Sequence, residues 1–248
     1  MHAVTSLVGL FKGKANFNDG VSHWQTDAVT AMDGAFDGAR AFNQDIDGWR
    51  VGAVASMDQL FRGADRFNQN VGGWNLHARL NSTRELFAGA KRFNQNIAPW
   101  RVGAAADMRG MFKGTLSFNQ NVGGWQTAAA TDMNGMFDGA SKFAADVSWW
   151  QTSAVTDFAT MFQNARAFDQ DVSGWANCAS ATKFGAFAAG SGLGKDHTPE
   201  FAPRSFAFPS SAALKEAVQA WSNDAKAAEA SMFCGWRAGF RRHTAGST

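Results

Sequence analysis

Tryptophan recurs along this chain at a nearly constant interval, and no other feature of the sequence constrains the fold as strongly. Seven of the ten tryptophans follow one another at steps of 25, 25, 26, 25, 25 and 25 residues. They are Trp24, Trp49, Trp74, Trp100, Trp125, Trp150 and Trp175. A fixed period of this length is typical of arrays in which each repeat packs against its two neighbours.

Two columns of phenylalanine share this period. The first column is Phe11, Phe36, Phe61, Phe87, Phe112, Phe137, Phe162 and Phe187. The second column is Phe17, Phe42, Phe67, Phe93, Phe118, Phe143 and Phe168. Together they hold 15 of the 22 phenylalanines, so most of the aromatic content belongs to the repeat. We therefore predict that the phenylalanine and tryptophan columns stack into the core of the array.

The first half of each unit has the spacing of a helix. Val29, Met32 and Phe36 stand at positions i, i+3 and i+7, which places three apolar side chains on one face of two helical turns. This spacing predicts a short helix over residues 31–37. Gly38 follows at the point where such a helix would end.

The second half of each unit has the spacing of a strand. Phe42 and Ile46 share one face if residues 42–46 are extended. A helix of two turns and a strand of five residues cannot bury their apolar faces alone, whereas stacked copies can. The sequence therefore predicts an α/β repeat solenoid with one short helix and one short strand in each coil.

Amide and carboxylate side chains form further columns after the second phenylalanine. The asparagine column is Asn18, Asn43, Asn68, Asn94 and Asn119. A third column of oxygen-bearing residues is Asp45, Asn70, Asn96, Asn121, Asp146 and Asp171. One interpretation is an amide ladder that joins neighbouring coils, and the other is a ligand-binding amide surface. Calcium favours such oxygens, but the paired glycines and nonapeptide spacing of calcium-binding solenoids are absent, so we expect no metal site.

Basic residues gather in one short segment of the repeat, between the Gly-Ala turn and the second phenylalanine. They are Lys14, Arg40, Arg66, Lys91, Arg92, Lys142 and Arg166, and we call them the basic stripe. In stacked coils they would align along the array. The stripe is interpreted either as a solvated face or as a site for an anionic partner, such as a sulfated polysaccharide or an acidic protein.

The rest of the composition excludes several functional classes. A formal net charge of +2 argues against a strongly basic nucleic-acid binder, and no apolar run is long enough for a transmembrane helix. Cys178 and Cys234 are too far apart for a zinc pattern, and the five histidines are scattered. We found no catalytic or phosphate-binding motif, so we predict no catalytic residues, no cofactor and no enzymatic activity.

Composition also divides the chain. We expect a repeat array over residues 1–190, a linker over 191–209, an amphipathic helix over 210–231 and a basic, disordered tail over 232–248. Residue 1 falls inside a repeat, so we expect either a fragment of a longer array or an uncapped first coil able to associate end to end. The C-terminal helix either precedes missing repeats or folds back as a cap.

Two segments carry a family resemblance, WQTDAVTAMDGAFDGARAFNQDI at residues 24–46 and WQTAAATDMNGMFDGASKF at residues 125–143. They resemble the BspA-like (DUF285-type) surface-protein repeat of the leucine-rich-repeat superfamily, and the likeness covers about residues 1–190. It implies a right-handed, leucine-rich-repeat-like coil, a surface-exposed or secreted protein, and adhesion or protein binding. The chain departs from the family pattern where Thr83 and Lys183 interrupt its methionine column.

Three functions remain open from the sequence. The first is a non-enzymatic module for recognising or adhering to a protein or a glycan, as part of a larger surface protein. The second is a purely structural spacer. The third is an ice-binding solenoid, for which Thr26, Thr127 and Thr152 would supply a threonine array two residues after the periodic tryptophans. The N-terminus does not have the pattern of a signal peptide, so the compartment rests on the resemblance alone.

Overall fold

A computed structural model of the chain describes residues 3–76, 79–175 and 181–199. The predicted helix at 210–231 and tail at 232–248 lie outside the described residues, as do both cysteines.

Successive repeats lie side by side and meet through single parallel β-bridges. One residue from each coil takes part, at steps of 25 or 26 residues along the chain. The bridged residues are Ser6, Ala31, Ser56, Ser82, Asp107, Asp132, Asp157 and Lys183. Each coil therefore contacts the coil one period earlier and the coil one period later, and the order of coils in space follows the order in sequence.

The segments predicted as a short helix and a short strand have other conformations. Residue 31 forms a bridge, residues 33–38 form a run of turns, and residues 42–46 belong to no helix or strand. Throughout the described residues the only helix is a 3-10 helix at Lys195–His197, and pairing is confined to isolated bridges. The apolar spacing i, i+3 persists because three-residue turns, like a helix, return the chain to the same face.

Hydrogen bonds explain why the turns do not become a helix. In the first coil the backbone N–H groups of Leu7 and Phe11 donate across to the carbonyls of Ala31 and Ala35, both at 2.8 Å. The intervening N–H of Leu10 donates back to the carbonyl of Leu7 at 3.1 Å. An α-helix would use all its N–H groups after the first turn internally. Alternation leaves half of them free to join the next coil.

Other parts of the coil donate in the opposite direction. The N–H of Thr30 donates to the carbonyl of Thr5 in the preceding coil, and the N–H of Ala41 donates to that of Ala15, both at 2.9 Å. Each face of a coil thus carries donors in one segment and acceptors in another.

Glycine is required where the turns end. Gly38 and Gly63 have φ of 74° and 66°, in the left-handed region that side chains disfavour. A Cβ placed on Gly63 would lie 3.6 Å from the Cα of Gly38, so the two backbones also approach closely. The same position recurs in every coil as far as Gly139, then as Asn164 and Gly190.

The three aromatic columns lie in one continuous core. Within a coil the two phenylalanine rings stack closely, as in Phe61 and Phe67 at 3.9 Å between centroids. Between coils the spacing is larger, 5.7 Å from Phe61 to Phe87 and 6.2 Å from Trp74 to Trp100, and the planes stay within 7° of parallel. Parallel rings at this separation are offset, which the ring quadrupole favours. In the first coil the aromatic residues are only partly buried; these are Phe11, Phe17 and Trp24.

Each periodic tryptophan from Trp49 onward also ties its coil to the one before. Its indole Nε1–H donates to a backbone carbonyl, as from Trp49 to Val21 at 3.1 Å and from Trp100 to Val71 at 2.9 Å. The indole is buried, so an unpaired N–H there would be costly. The tryptophan column therefore buries apolar area in the core and also joins adjacent coils by a hydrogen bond.

Phe187 does not occupy the first phenylalanine column. The bridge from Asp157 to Lys183 spans 26 residues, which shifts the last coil by one position. The N–H of Phe162 consequently donates to the carbonyl of Phe187, a role that Met161 has in the preceding coil. The ring of Phe187 stands at 90° to that of Phe162 instead of stacking on it.

The first part of the predicted linker lies against the seventh coil, which contains Asp169 and Val172. Leu193 packs on the core, and the N–H of Val172 donates to the carbonyl of His197 at 3.0 Å. His197 Nδ1 lies 3.2 Å from a carboxylate oxygen of Asp169. Residues 191–199 therefore cover part of the end of the array.

Replacing Gly63 with alanine should destabilise the fold by about 1–2 kcal/mol, because alanine must adopt a left-handed backbone conformation. Chemical denaturation measures the loss. Gly48→Ala is the matched control, since φ at Gly48 lies outside the left-handed region and a Cβ there would meet nothing within 4 Å. Equal losses in the two variants would contradict the assigned role of Gly63.

Candidate functional site

The turn segments form one charged face of the array, which we call the turn face: residues 31–38 and their equivalents in the other coils. Every lysine and arginine of this face in the described residues is paired with a carboxylate. The pairs include Lys12 with Asp37, Arg62 with Asp37 and Glu85, Arg84 with Asp58, Arg109 with Asp107 and Asp132, Lys113 with Asp138, and Lys183 with Asp157. Most of these pairs join adjacent coils, so the charges of the turn face hold the array together.

Two carboxylates of the turn face experience opposite environments. Burial alone would raise the pKa of Asp37, but hydrogen bonds and charge from Arg62 and Lys12 outweigh it and lower the pKa. Arg62 donates to both carboxylate oxygens of Asp37 at 2.8 Å. Burial raises the pKa of Asp132, and the neighbouring Asp157 adds to the effect.

The basic stripe differs from the turn face in its pairing. All seven of its side chains are exposed. Lys91 contacts Asp65 at 2.9 Å, and no other member forms an ion pair within the part of the chain that the structure describes. The stripe occupies three adjacent positions of the repeat, with Lys14 one position before the others, and it is interrupted in the fifth coil by Leu116 and Ser117.

A shallow groove of about 460 Å³ joins the stripe to the turn face. Its charged lining residues are Arg40 and Lys91 from the stripe, Arg62 and Asp37 from the turn face, and Asp65 between them. Asp37 is already held by Arg62, whereas Arg40 has no ion-pair partner among the described residues. The groove therefore offers free positive charge beside a neutralised surface.

The asparagine column is used within the fold. The N–H of Asn68 donates to the Oδ1 of Asn43 at 2.9 Å, and the N–H of Asn94 donates to the Oδ1 of Asn68 at 2.9 Å. The same bond runs from Asn18 through Asn119 and ends at the N–H of Ala144. The amide ladder thus satisfies one backbone donor in each coil.

The third oxygen-bearing column closes turns. Asp45 accepts from the N–H of Asp47 at 2.9 Å, and Asn96 accepts from the N–H of Ala98 at 3.0 Å. Asn70, Asn121, Asp146 and Asp171 repeat this side-chain turn. No group of three or more metal-ligating side chains occurs among the described residues.

Threonines of the proposed ice-binding array point into the fold. Thr26, Thr127 and Thr152 are 1–2% exposed. Thr26 accepts from the N–H of Arg50 at 2.8 Å, and Thr127 donates to the carbonyl of Gln151 at 3.0 Å. The column that the ice-binding alternative requires is therefore buried, because its apolar members in other coils place this position in the core.

Sequence reasoning did not find the ion pairs of the turn face. The signal was available, since Lys12, Asp37 and Arg62 alternate in sign at intervals of 25 residues. Opposite charges one period apart lie opposite each other once the coils stack. To tell the paired cations from the unpaired ones, one must know which residues of adjacent coils are neighbours, and the bridges define that register.

These features define a protein of stacked, aromatic-cored 25-residue coils with one self-neutralised face and one exposed basic stripe. The chain belongs to the family described as Mycoplasma protein of unknown function, DUF285, whose model matches residues 1–100 and 81–199. No curated protein and no solved structure matches the chain. In the described ranges no helix is long and apolar enough to cross a bilayer.

Asp37→Asn and Asp132→Asn should change stability in opposite directions at neutral pH. Asp37 has a lowered pKa, so its ionised form stabilises the fold above the unfolded pKa and loses that effect as the pH falls through the folded value. Its replacement should cost about 1–2 kcal/mol near pH 7 and almost nothing below about pH 3.

Asp132 has a raised pKa, so its ionisation opposes folding. Asparagine keeps an oxygen for the N–H of Asn134, which the carboxylate accepts at 2.9 Å. Asp132→Asn should therefore raise the free energy of unfolding at pH 7. This gain should disappear as the pH falls and Asp132 of the natural chain becomes protonated in both the folded and the unfolded state. Denaturation curves between about pH 3 and 7 measure both variants. A shift of the same sign at pH 7 would contradict the assignment.

Proposed function

We propose that the protein is a non-enzymatic recognition module, in which a right-handed, leucine-rich-repeat-like solenoid displays the basic stripe to an anionic polysaccharide. The parallel bridges at a 25-residue period support the solenoid, and the resemblance to BspA-like repeats supports its class. The same resemblance supports adhesion at a cell surface as the setting, within a larger protein.

The division of the cations carries this proposal. On the turn face every described lysine and arginine is neutralised by a carboxylate of a neighbouring coil. In the basic stripe only Lys91 has an ion-pair partner among the described residues, and all seven side chains reach solvent. Charges that stabilise the fold would be paired, as those of the turn face are. Unpaired charges aligned along a rigid scaffold favour an external anion.

The geometry favours a linear ligand. Lys14 belongs to the first coil and Arg166 to the seventh, six steps apart. At about 4.8 Å for each bridged step the stripe extends roughly 30 Å. A flexible chain with regularly spaced sulfate or carboxylate groups could contact several cations at once, which raises affinity without any single strong site. An acidic protein segment is the alternative occupant, and a spacer with no ligand is the alternative function.

Reversing three charges of the stripe should weaken binding to a sulfated polysaccharide. We expect the triple variant Arg40→Glu, Arg66→Glu and Arg92→Glu to bind immobilised heparin at least about tenfold more weakly than the natural chain. Elution from the heparin column should also move to lower salt, since screening weakens exposed charge pairs.

The matched control carries the same change in net charge elsewhere. Arg79, Arg101 and Lys195 are also exposed and lack ion-pair partners among the described residues. Their reversal to glutamate should have a small effect. Equal weakening in both triple variants would mean that net charge alone drives binding. A natural chain that does not bind heparin would favour the spacer, and binding to acidic polypeptides alone would favour the protein partner.

A further inference from the structure

Trp149 is placed unlike the periodic tryptophans. Its side chain is 84% exposed, whereas Trp150, the next residue, is 3% exposed and belongs to the core. Trp149 makes no ring contact with another aromatic residue of the described chain. It stands in the turn formed with Ser148, directly before the core tryptophan. Neither packing nor hydrogen bonding within the array accounts for an indole at this position.

The neighbouring coils leave space around this indole. The position before each periodic tryptophan is small in the flanking repeats, with Gly124 on the preceding coil and Gly174 on the following one. A Cβ at either glycine would meet nothing within 4 Å. No side chain at the equivalent position of either coil can therefore cover a face of the Trp149 ring.

The same coil also interrupts the amide surface. Where four preceding coils have Asn-Gln, this coil has Ala144 and Ala145. The N–H of Ala144 still donates to the Oδ1 of Asn119 at 2.9 Å, but Ala144 has no side-chain oxygen that could accept from the next coil. The glutamines on either side of this interruption are Gln120 and Gln170, which lie two coils apart, or about 10 Å. The interruption of the amide column thus occurs in the same coil as Trp149.

We propose that Trp149 is the stacking platform of a second binding site, which takes a pyranose ring of a neutral polysaccharide. One face of a pyranose is made of C–H groups and packs on an indole, while its hydroxyls point outward and need polar partners. Two exposed side chains could supply such partners: Asp146, three residues before Trp149, and Asn121, its equivalent in the preceding coil. The site goes beyond the basic stripe, since it requires no charge on the ligand.

The surroundings favour a sugar over a protein partner. Aromatic anchors in protein interfaces lie at the centre of a well-packed patch and are ringed by residues that exclude water. Trp149 is instead flanked by glycines and by the polar residues Asp146, Ser148 and Gln151. An isolated apolar ring within a polar surface matches a ligand that is itself apolar on one face and polar at its rim.

Calorimetric titration with neutral hexasaccharides tests the proposal. The probes are the β-1,4-glucose, β-1,3-glucose, β-1,4-mannose and β-1,4-N-acetylglucosamine hexamers. At least one should bind the natural chain, Trp149→Ala should weaken that binding at least about tenfold, and Trp149→Phe should retain part of it. Since the ligand is uncharged, affinity should be the same in about 0.05 and 0.5 M NaCl.

Two controls separate this site from the fold and from the basic stripe. Leu116 is another exposed apolar residue, at 46%, and Leu116→Ala should leave sugar binding unchanged. The triple reversal in the basic stripe should also leave it unchanged, while Trp149→Ala should retain heparin binding and the natural melting temperature. The proposal is overturned if no hexasaccharide binds, if Trp149→Ala binds as well as the natural chain, or if Trp149 is needed only for capture of a protein.

Discussion

The rest of the structure depends on the backbone hydrogen bonds that alternate between neighbouring coils and the coil itself. In the turn segment Leu7 donates forward to Ala31 while Leu10 donates back to Leu7. This alternation satisfies the backbone without a helix or a sheet ladder, and it fixes the register of one coil on the next. Register in turn decides which side chains become neighbours, so the aromatic columns, the amide ladder and the ion pairs all follow from it.

The basic stripe and Trp149 are recognised by comparison with the regular repeat. The turn face pairs its charges and the asparagine column bonds to the backbone of the next coil, so side chains without such partners differ from this pattern. Arg62 on the turn face is held by Asp37, whereas Arg40 beside it in the groove has no ion-pair partner among the described residues. Trp150 is buried and donates its indole N–H to the carbonyl of Val122, whereas Trp149 is exposed. Arg40 and Trp149 differ in chemistry, and a charged and a neutral ligand would distinguish them.

The period of the sequence was enough to predict which aromatic residues share a column, because stacking at 25 residues follows from spacing alone. Local conformation was harder to predict. Val29, Met32 and Phe36 have a helical spacing, yet Gly34 takes a left-handed conformation with φ of 60° and the segment turns instead. The register of Phe187 depended on one extra residue that no local pattern marks. The position of the basic stripe in the repeat was evident from the sequence, but which cations are paired depends on three-dimensional neighbours and was not.

The two faces of a coil are chemical complements and not copies of each other. On the forward face the turn segment donates and Thr5 and Ala15 accept; on the backward face the roles are exchanged. An array of such coils is therefore a directional object, like a filament with two different ends. Addition of a coil that continues the bonding must be head to tail, which is a heterologous contact that does not close into a twofold dimer. Adding coils in this way preserves the alignment of the surface columns, so a longer array lengthens the same columns instead of creating new ones.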